Sequence, residues 1–281
     1  MHSEPGSSIA GRYRLERRLV DVTHVTLWRG HDTVLDRPVA VRLVSGDHPR
    51  ANEVLEAARS TSRVDDRRLA RVLDADVRDT PAAPADVYIV TAWPIGTDLS
   101  TLLADGPLEP DETVSLVAEV AEVVTLAHAQ GIAHLALDPT NVVVGPGDDI
   151  TLLGLAVDAV LRRPDAPVAD PMCVDARGLG ALMYACLTGR WPLDDGELHG
   201  LPAAPYVGPR LCTPRQVRAA IPAPVDVLCR RALGEVVDGH TLDTPSAVVD
   251  AVRELLDDRA RTRWRPSSWF GRTTRTPAGR R

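Results

Sequence analysis

Lysine is missing altogether: every one of the 32 basic side chains in this 281-residue chain is Arg. That removes the amine needed for Schiff-base chemistry and the compact charge of a phosphate-binding lysine, which the planar guanidinium does not freely replace at a tight site. The four Cys, at 173, 186, 212 and 229, are scattered, with no C-x-x-C pair and no His at ligand spacing. They read as free thiols of a reducing cytosol, not as a disulfide frame or a metal site. No apolar run approaches the ~20 residues of a membrane span, and Met1–Arg12 is too polar for a signal peptide. The net charge of −7 disfavours nonspecific nucleic-acid binding. What is present is an ordinary globular composition, 44% hydrophobic and 25% charged, long enough for one large domain or two modest ones.

The periodicity changes along the chain. Residues 1–11 are small and polar and read as a flexible leader. Tyr13-Arg14-Leu15, Val25–Arg29 and Pro38–Val44 alternate as strands, Ala51–Ser62 carries helix formers, and Leu69–Val77 and Val87–Thr91 read as two further strands around a Pro- and Ala-rich loop. After Trp93-Pro94-Ile95-Gly96 the pattern is helical. Pro110–Gln130 carries Leu116, Val117, Val120, Val123, Val124 and Ala127 at three-and-four spacing, with Pro110 and Asp111 as a start signal and Gly131 as a stop. Gly145–Asp149 joins two short strands as a hairpin, and Asp175–Leu187, Val225–Gly234 and Ser246–Asp257 read as helices between Pro-rich loops. The expected architecture is α+β and bilobal: a β-rich lobe over 12–92, a helical lobe over 93–258, and a basic Arg/Trp tail over 259–281.

Five motif frames occur in order. Tyr13-x-Leu15…Leu19 leads to Leu27-Trp28-x-Gly30-x-Asp32. Arg37-Pro38-Val39-Ala40-Val41-Arg42 follows. Leu126–Ala133 runs into His134-Leu135-Ala136-Leu137-Asp138-Pro139-Thr140-Asn141, and Asp175-Ala176-Arg177-Gly178-Leu179-Gly180 precedes Leu187-Thr188-Gly189-Arg190-Trp191-Pro192-Leu193. Taken together they resemble the bacterial Ser/Thr protein kinase family from about Gly11 to Asp257. His134–Asn141 is similar to the catalytic loop H-R-D-L-K-P-x-N, and Arg37–Arg42 to the strand V-A-I-K.

That resemblance implies a phosphoryl-transfer site, and its parts fall on altered residues. Phosphoryl transfer needs a Gly-rich loop, a lysine on the phosphates, a metal-holding Asp and an acid that orients the hydroxyl. The loop glycines fall on Val20, Val22 and Val25, the lysine on Arg42, the D-F-G Asp on Gly154 and the proton-accepting Asp on Ala136. The retained frame is His134 and Asn141. One neutral amide is a poor Mg²⁺ site. The implied function is a pseudokinase, not an enzyme and without a cofactor, serving as a scaffold or regulatory interaction module; the alternative is a residual ATP-dependent kinase or other nucleotidyl transferase of low activity.

Other residues have a functional and a plainer reading. Glu56, or Glu53 with a register change, could pair with Arg42 as the family's helix Glu pairs with its Lys, or could belong to a structural ion pair or solvated face. His134 reads as a packed, hydrogen-bonded core residue, Asp175 as the cap of its own helix, Trp93 as packing, and Asp138 and Asp158 as surface charges. The 22 residues from Gly154 to Asp175 hold no Ser or Thr. The tail Arg259–Arg281 has eight Arg, no acid, Trp264, Trp269 and Phe270, and the possible phosphosites Thr273, Thr274 and Thr276. Such a tail fits an anionic membrane surface, which places the chain in the cytoplasm at the inner face of the plasma membrane, or a free basic segment. The resemblance implies as partners an active Ser/Thr kinase and a forkhead-associated-domain protein, in cell-wall signalling.

Overall fold

A computed structural model of the chain describes residues 3–78, 85–162, 168, 170–193 and 200–261. The expected phosphosites Thr273, Thr274 and Thr276, and the aromatic residues beyond Arg261, lie outside the described residues. The amino-terminal part is built on β1 (Ser8–Ile9), β2 (Tyr13–Val22), β3 (Val25–Asp32), β4 (Arg37–Val44), helix α1 (Ala51–Thr61), β5 (Val72–Arg78) and β6 (Asp86–Ala92). The strands form one antiparallel sheet in the order β1-β2-β3-β4-β6-β5. Alternation decides its two faces. Ile9, Tyr13, Trp28, Val39, Val41 and Val90 pack on one side, while Val44, Val87 and Ile89 pack on the other against Val54 and Ala58 of α1.

The expected leader over 1–11 is corrected here. Ser8 and Ile9 pair with Arg14 and Tyr13, and Ile9 is fully buried. A lone apolar residue among polar ones carries no periodicity, so only its tertiary contacts reveal it.

The Trp28-x-Gly30-x-Asp32 frame has a structural explanation. Gly30 has room for no Cβ without crowding, since one would lie 3.0 Å from the Arg14 carbonyl oxygen and 3.1 Å from Val41. Asp32 is fully buried, accepts from Arg12 Nη2 at 2.7 Å, and takes the Val34 and Leu35 backbone N–H groups at 3.1 and 3.2 Å. Those bonds hold its carboxyl well below the usual carboxylate range.

The second lobe follows β7 (Thr97–Asp98): α2 (Leu99–Ala104), α3 (Pro110–Ala129), β8 (Val142–Val144), β9 (Ile150–Leu152), α4 (Val157–Arg162), α5 (Pro171–Thr188), β10 (Tyr206–Val207), β11 (Arg210–Leu211), α6 (Pro214–Val217), α7 (Ala223–Ala232) and α8 (Pro245–Arg261). Helix α3 starts on a capping box between Glu109 and Glu112 and ends before Gly131, whose φ of +72° only glycine adopts without penalty. Helix α5 runs through the centre of the lobe, buried from Leu179 to Leu187. Its glycines are contact points. A Cβ on Gly178 would meet Leu137 at 3.0 Å, and one on Gly180 would lie 2.6 Å from backbone atoms of Ala232 and Leu233.

The two lobes are stitched together behind the cleft. Leu69 bridges to Leu152, with Leu152 N–H donating to the Arg68 carbonyl at 2.6 Å and Ala70 N–H to the Leu152 carbonyl at 3.0 Å. Arg68 pairs with both Asp66 and Glu122 at 2.9 Å, and Glu122 also takes Arg253 of α8 at 2.9 Å. Among the described residues no helix is long and apolar enough to cross a membrane.

Candidate functional site

The cleft between the lobes collects most of the residues singled out from the sequence. Arg42 reaches into it from β4, Asn141 from the 3₁₀ turn Pro139–Asn141 that precedes β8, and Gly154 follows β9. The carboxylate that meets them is Asp158, on the first turn of α4. It pairs with Arg42 Nη1 and accepts from Asn141 Nδ2 at 2.7 Å. Asn141 is fixed from its other end, because its Oδ1 accepts the Asp138 backbone N–H at 3.2 Å. Arg162, one turn beyond Asp158, lies 3.9 Å from the same carboxylate and also pairs with Asp138. Two carboxylates and two guanidiniums therefore meet around one amide, and their formal charges cancel.

Asp138 and Asp158 are thus not surface charges: they are 3% and 4% exposed. The sequence places Asp158 near the cleft but not in it, because it stands four residues past the D-F-G position. The signal available was the short apolar spacing of Val157, Val160 and Leu161. These pack with the α1 and sheet residues Val44, Val54 and Leu55 and so seat α4 beneath α1. Arg50 adds a tie, donating to the Val160 carbonyl at 3.2 Å.

Of the two readings of Glu56, the same contacts favour the solvated face over a pairing with Arg42. Arg42 is engaged by Asp158, and Glu56 is exposed on α1. With α4 filling the space under α1, the carboxylate nearest Arg42 comes from below the helix and not from it.

Gly154 is required by this arrangement. Its φ is +74°, and a Cβ there would lie 2.1 Å from Asp158 Oδ2 and 3.1 Å from Asn141 Nδ2. The Asp158 carboxylate lies where a side chain at position 154 would begin. Ala156 and Leu135, at φ +59° and +58°, add two non-glycine left-handed residues to the same region.

His134 is fully buried, and its Nε2 lies 2.9 Å from the Leu153 carbonyl oxygen, a bond that assigns Nε2 as the donor. Asp175 does not cap its helix. Helix α5 starts a turn earlier at Pro171, with Asp170 capping Met172 and Cys173. Asp175 instead accepts from the backbone N–H of His134 at 2.8 Å and of Leu135 at 2.6 Å, and its Oδ2 is 2.8 Å from His128 Nε2. It thereby holds the backbone of the loop that carries Ala136.

The hairpin Val20–Val25 is a tight turn in which Val22 pairs with Val25. Val20 and Val22 are 41% and 52% exposed, and Val25 packs on the cluster around Val44. Trp93 is half-buried with Arg29 stacked on it at 5.3 Å.

Behind Arg42 the cleft opens into a cavity of about 460 Å³. Leu27, Ala40, Ile89 and Thr91 line it from β3, β4 and β6, Leu152, Leu153 and Leu155 from the end of β9 and the residues after it, and Val64, Asp65, Asp66 and Leu69 from the segment between α1 and β5.

Burial works to raise the Asp158 carboxyl, but Arg42, Arg162 and His134 outweigh it and leave it below the ordinary carboxylate value. A group depressed in the folded state adds stability that is complete above its unfolded value, about 3.9, and is lost as pH falls through the folded one. Asp158→Asn is therefore expected to be less stable than the parent at pH 7, with the two denaturation midpoints converging as pH falls below the unfolded carboxylate value. Urea melts from pH 7 to pH 2 check this. A gap that stays constant to the acid end would remove Asp158 as the source.

No family model matches the sequence. The chain is 24% identical to the serine/threonine-protein kinase PknE of Mycobacterium tuberculosis (strain ATCC 25618 / H37Rv), covering 89% of this chain and 48% of that protein. It is also 24% identical to PknH of the same strain, over 89% of this chain and 43% of the relative. With PrkC of Bacillus subtilis (strain 168) it shares 24% identity over 67% of this chain and 32% of the relative. The chain spans less than half the length of these curated relatives. The structure overlays on the PknI kinase domain of Mycobacterium tuberculosis with a TM-score of 0.65 at 18% identity, covering 90% of this chain and 99% of that one. The chain thus has the protein-kinase fold, with bacterial serine/threonine protein kinases as its relatives.

Proposed function

We propose that the chain is a pseudokinase, a kinase-fold protein that acts through interactions and not through phosphoryl transfer. The observation that carries this reading is the Asp158 contact set. The cleft carboxylate closest to Gly154 is already neutralised by Arg42 and bonded to Asn141. A divalent cation holding a triphosphate needs carboxylate oxygens free to coordinate it. Among the described residues no three His, Cys, Asp or Glu side chains converge to supply them. Arg42 is likewise committed, so the charge that would meet a phosphate is spent on an internal partner. Ala136 has no side chain to orient a hydroxyl. The residues present do not fit ATP with Mg²⁺.

Thermal unfolding with ATP and Mg²⁺ or Mn²⁺ tests the reading. A ligand that binds only the folded state at 100 times its Kd adds about 2.7 kcal/mol. The expected result is no saturable shift up to millimolar nucleotide; a saturable rise of several degrees would count against a committed cleft. The second reading, a weak ATP-dependent kinase or nucleotidyl transferase, is favoured by the activity named for all three relatives. Labelled ATP with mass spectrometry of the products separates the two, since transfer abolished by Arg42→Ala would support the enzyme. As partners we propose an active Ser/Thr kinase acting on Thr273, Thr274 or Thr276 and a forkhead-associated domain reading the product.

A further inference from the structure

The cavity behind Arg42 is of ligand size, within the range of about 300–1,000 Å³ in which small molecules and anchor side chains are held. Its walls are largely aliphatic. Of the charged residues on it, Arg42 is engaged by Asp158 and Asp66 by Arg68, while Asp65 and Arg71 are exposed at the mouth. An occupant must therefore be apolar in its body and find its polar contacts at the rim.

The same chain carries a segment of that chemistry. Arg265-Pro266-Ser267-Ser268-Trp269-Phe270-Gly271-Arg272 sets the chain's single Phe beside a Trp and flanks both with Arg. The eight Arg of 259–281 leave the remainder of the chain with 24 basic and 39 acidic side chains, so tail and body are of opposite sign. A chain of ion pairs links α8 to the cavity wall. Arg253 of α8 pairs with Glu122, Glu122 with Arg68, and Arg68 with Asp66 on the cavity wall, each at 2.9 Å. From Arg261, where α8 ends, eight residues lead to Trp269, a reach of about 26–29 Å when extended.

We propose that the cavity is the docking site of the chain's own Trp269–Phe270 segment, with an Arg on either side meeting the rim at Asp65. The rings would bury apolar surface beneath the sheet, and tethering would supply an effective concentration in the millimolar range, so that modest intrinsic affinity suffices. The docked segment would join α8 to both lobes at the point where they are already stitched together. This reading does not depend on whether the cleft is catalytic.

Photo-cross-linking on the full chain tests it. Benzoylphenylalanine replaces Trp269, and in a second protein Phe270, and the irradiated monomer is mapped by mass spectrometry. The expected result is cross-linking within one chain to residues 61–72 or 152–157. Its yield should fall at least fivefold in Asp65→Arg and on adding excess free peptide of sequence 265–272. Asp65 is exposed, so that variant is expected to melt with the parent. Cross-links elsewhere on the chain, cross-links confined to dimers, capture only of lipid from added phosphatidylglycerol vesicles, or no cross-link at either position would each overturn the proposal.

Discussion

Gly154→Asp, which puts a carboxylate back where the kinase motif has one, is expected to destabilise the chain by about 3–5 kcal/mol and to restore no activity. The new Cβ would sit 2.1 Å from Asp158 Oδ2 and 2.5 Å from its Cγ, so the Asp158 side chain would have to leave. Leaving breaks a buried pair with Arg42 and the bond from Asn141, and stripping one partner from a buried pair costs about 3–5 kcal/mol. The left-handed backbone at φ +74° adds a smaller term, because Asp tolerates that region better than most residues. Two carboxylates in one pocket would add repulsion. Against a typical stability of about 5–15 kcal/mol this is a large loss, and the melting temperature should fall by roughly 10 °C or more. The second half of the test is the rescue. Gly154→Asp combined with Asp158→Ala frees the space and supplies Arg42 with a new partner, so the double variant should be more stable than Gly154→Asp alone. Urea denaturation of the four proteins closes the cycle. Additive losses would show that Asp158 is not what makes glycine necessary.

The second large effect is expected at Asp175. Asp175→Ala removes the acceptor of two backbone N–H groups, the buried one of His134 and the part-buried one of Leu135, and the partner of His128. A buried donor left without a partner costs about 1–3 kcal/mol, so the two together predict a loss of about 3–5 kcal/mol. Asp175→Asn keeps an oxygen for one donor but turns an amide NH₂ toward the others, and should fall between parent and Ala. The loss has a place as well as a size. Leu135 is held at φ +58°, a conformation its side chain disfavours, and the bond to Asp175 pins it there. Hydrogen exchange should therefore accelerate first over His134–Leu137. A variant that loses less than about 1 kcal/mol, or exchanges evenly along the chain, would place the loop's support elsewhere.

Both effects concern residues that the sequence marks for other reasons. Gly154 falls at a motif position that points to chemistry, and Asp175 at one that reads as a helix cap. In the folded chain each has a mechanical role. Gly154 leaves room for a carboxylate from the next turn, and Asp175 ties down a loop. The same holds for Asp32, Gly178 and Gly180, each of which is explained by a turn, a loop contact or a helix crossing.

The elements legible before the chain is folded are those whose signals are local. Alternation over β3 and β4, the three-and-four spacing along α3 and its stop at Gly131, and the glycine-rich turn between β8 and β9 depend on neighbours within a few residues. The ordered motif frames add which architecture those elements make. The remainder depends on approach between segments far apart in the chain. Arg42 and Asp158 are 116 positions apart, and nothing local in either tells Arg42 to choose an acid on α4 over one on α1. Ile9 is buried by a strand that begins four residues later. Asp175 lies inside its helix and not at its start because Asp170 and Pro171 provide the earlier start, and its partners lie 40 and 41 positions back. Local pattern locates residues that could act together; which carboxylate meets which guanidinium is settled only when packing brings a particular pair into contact and excludes the others.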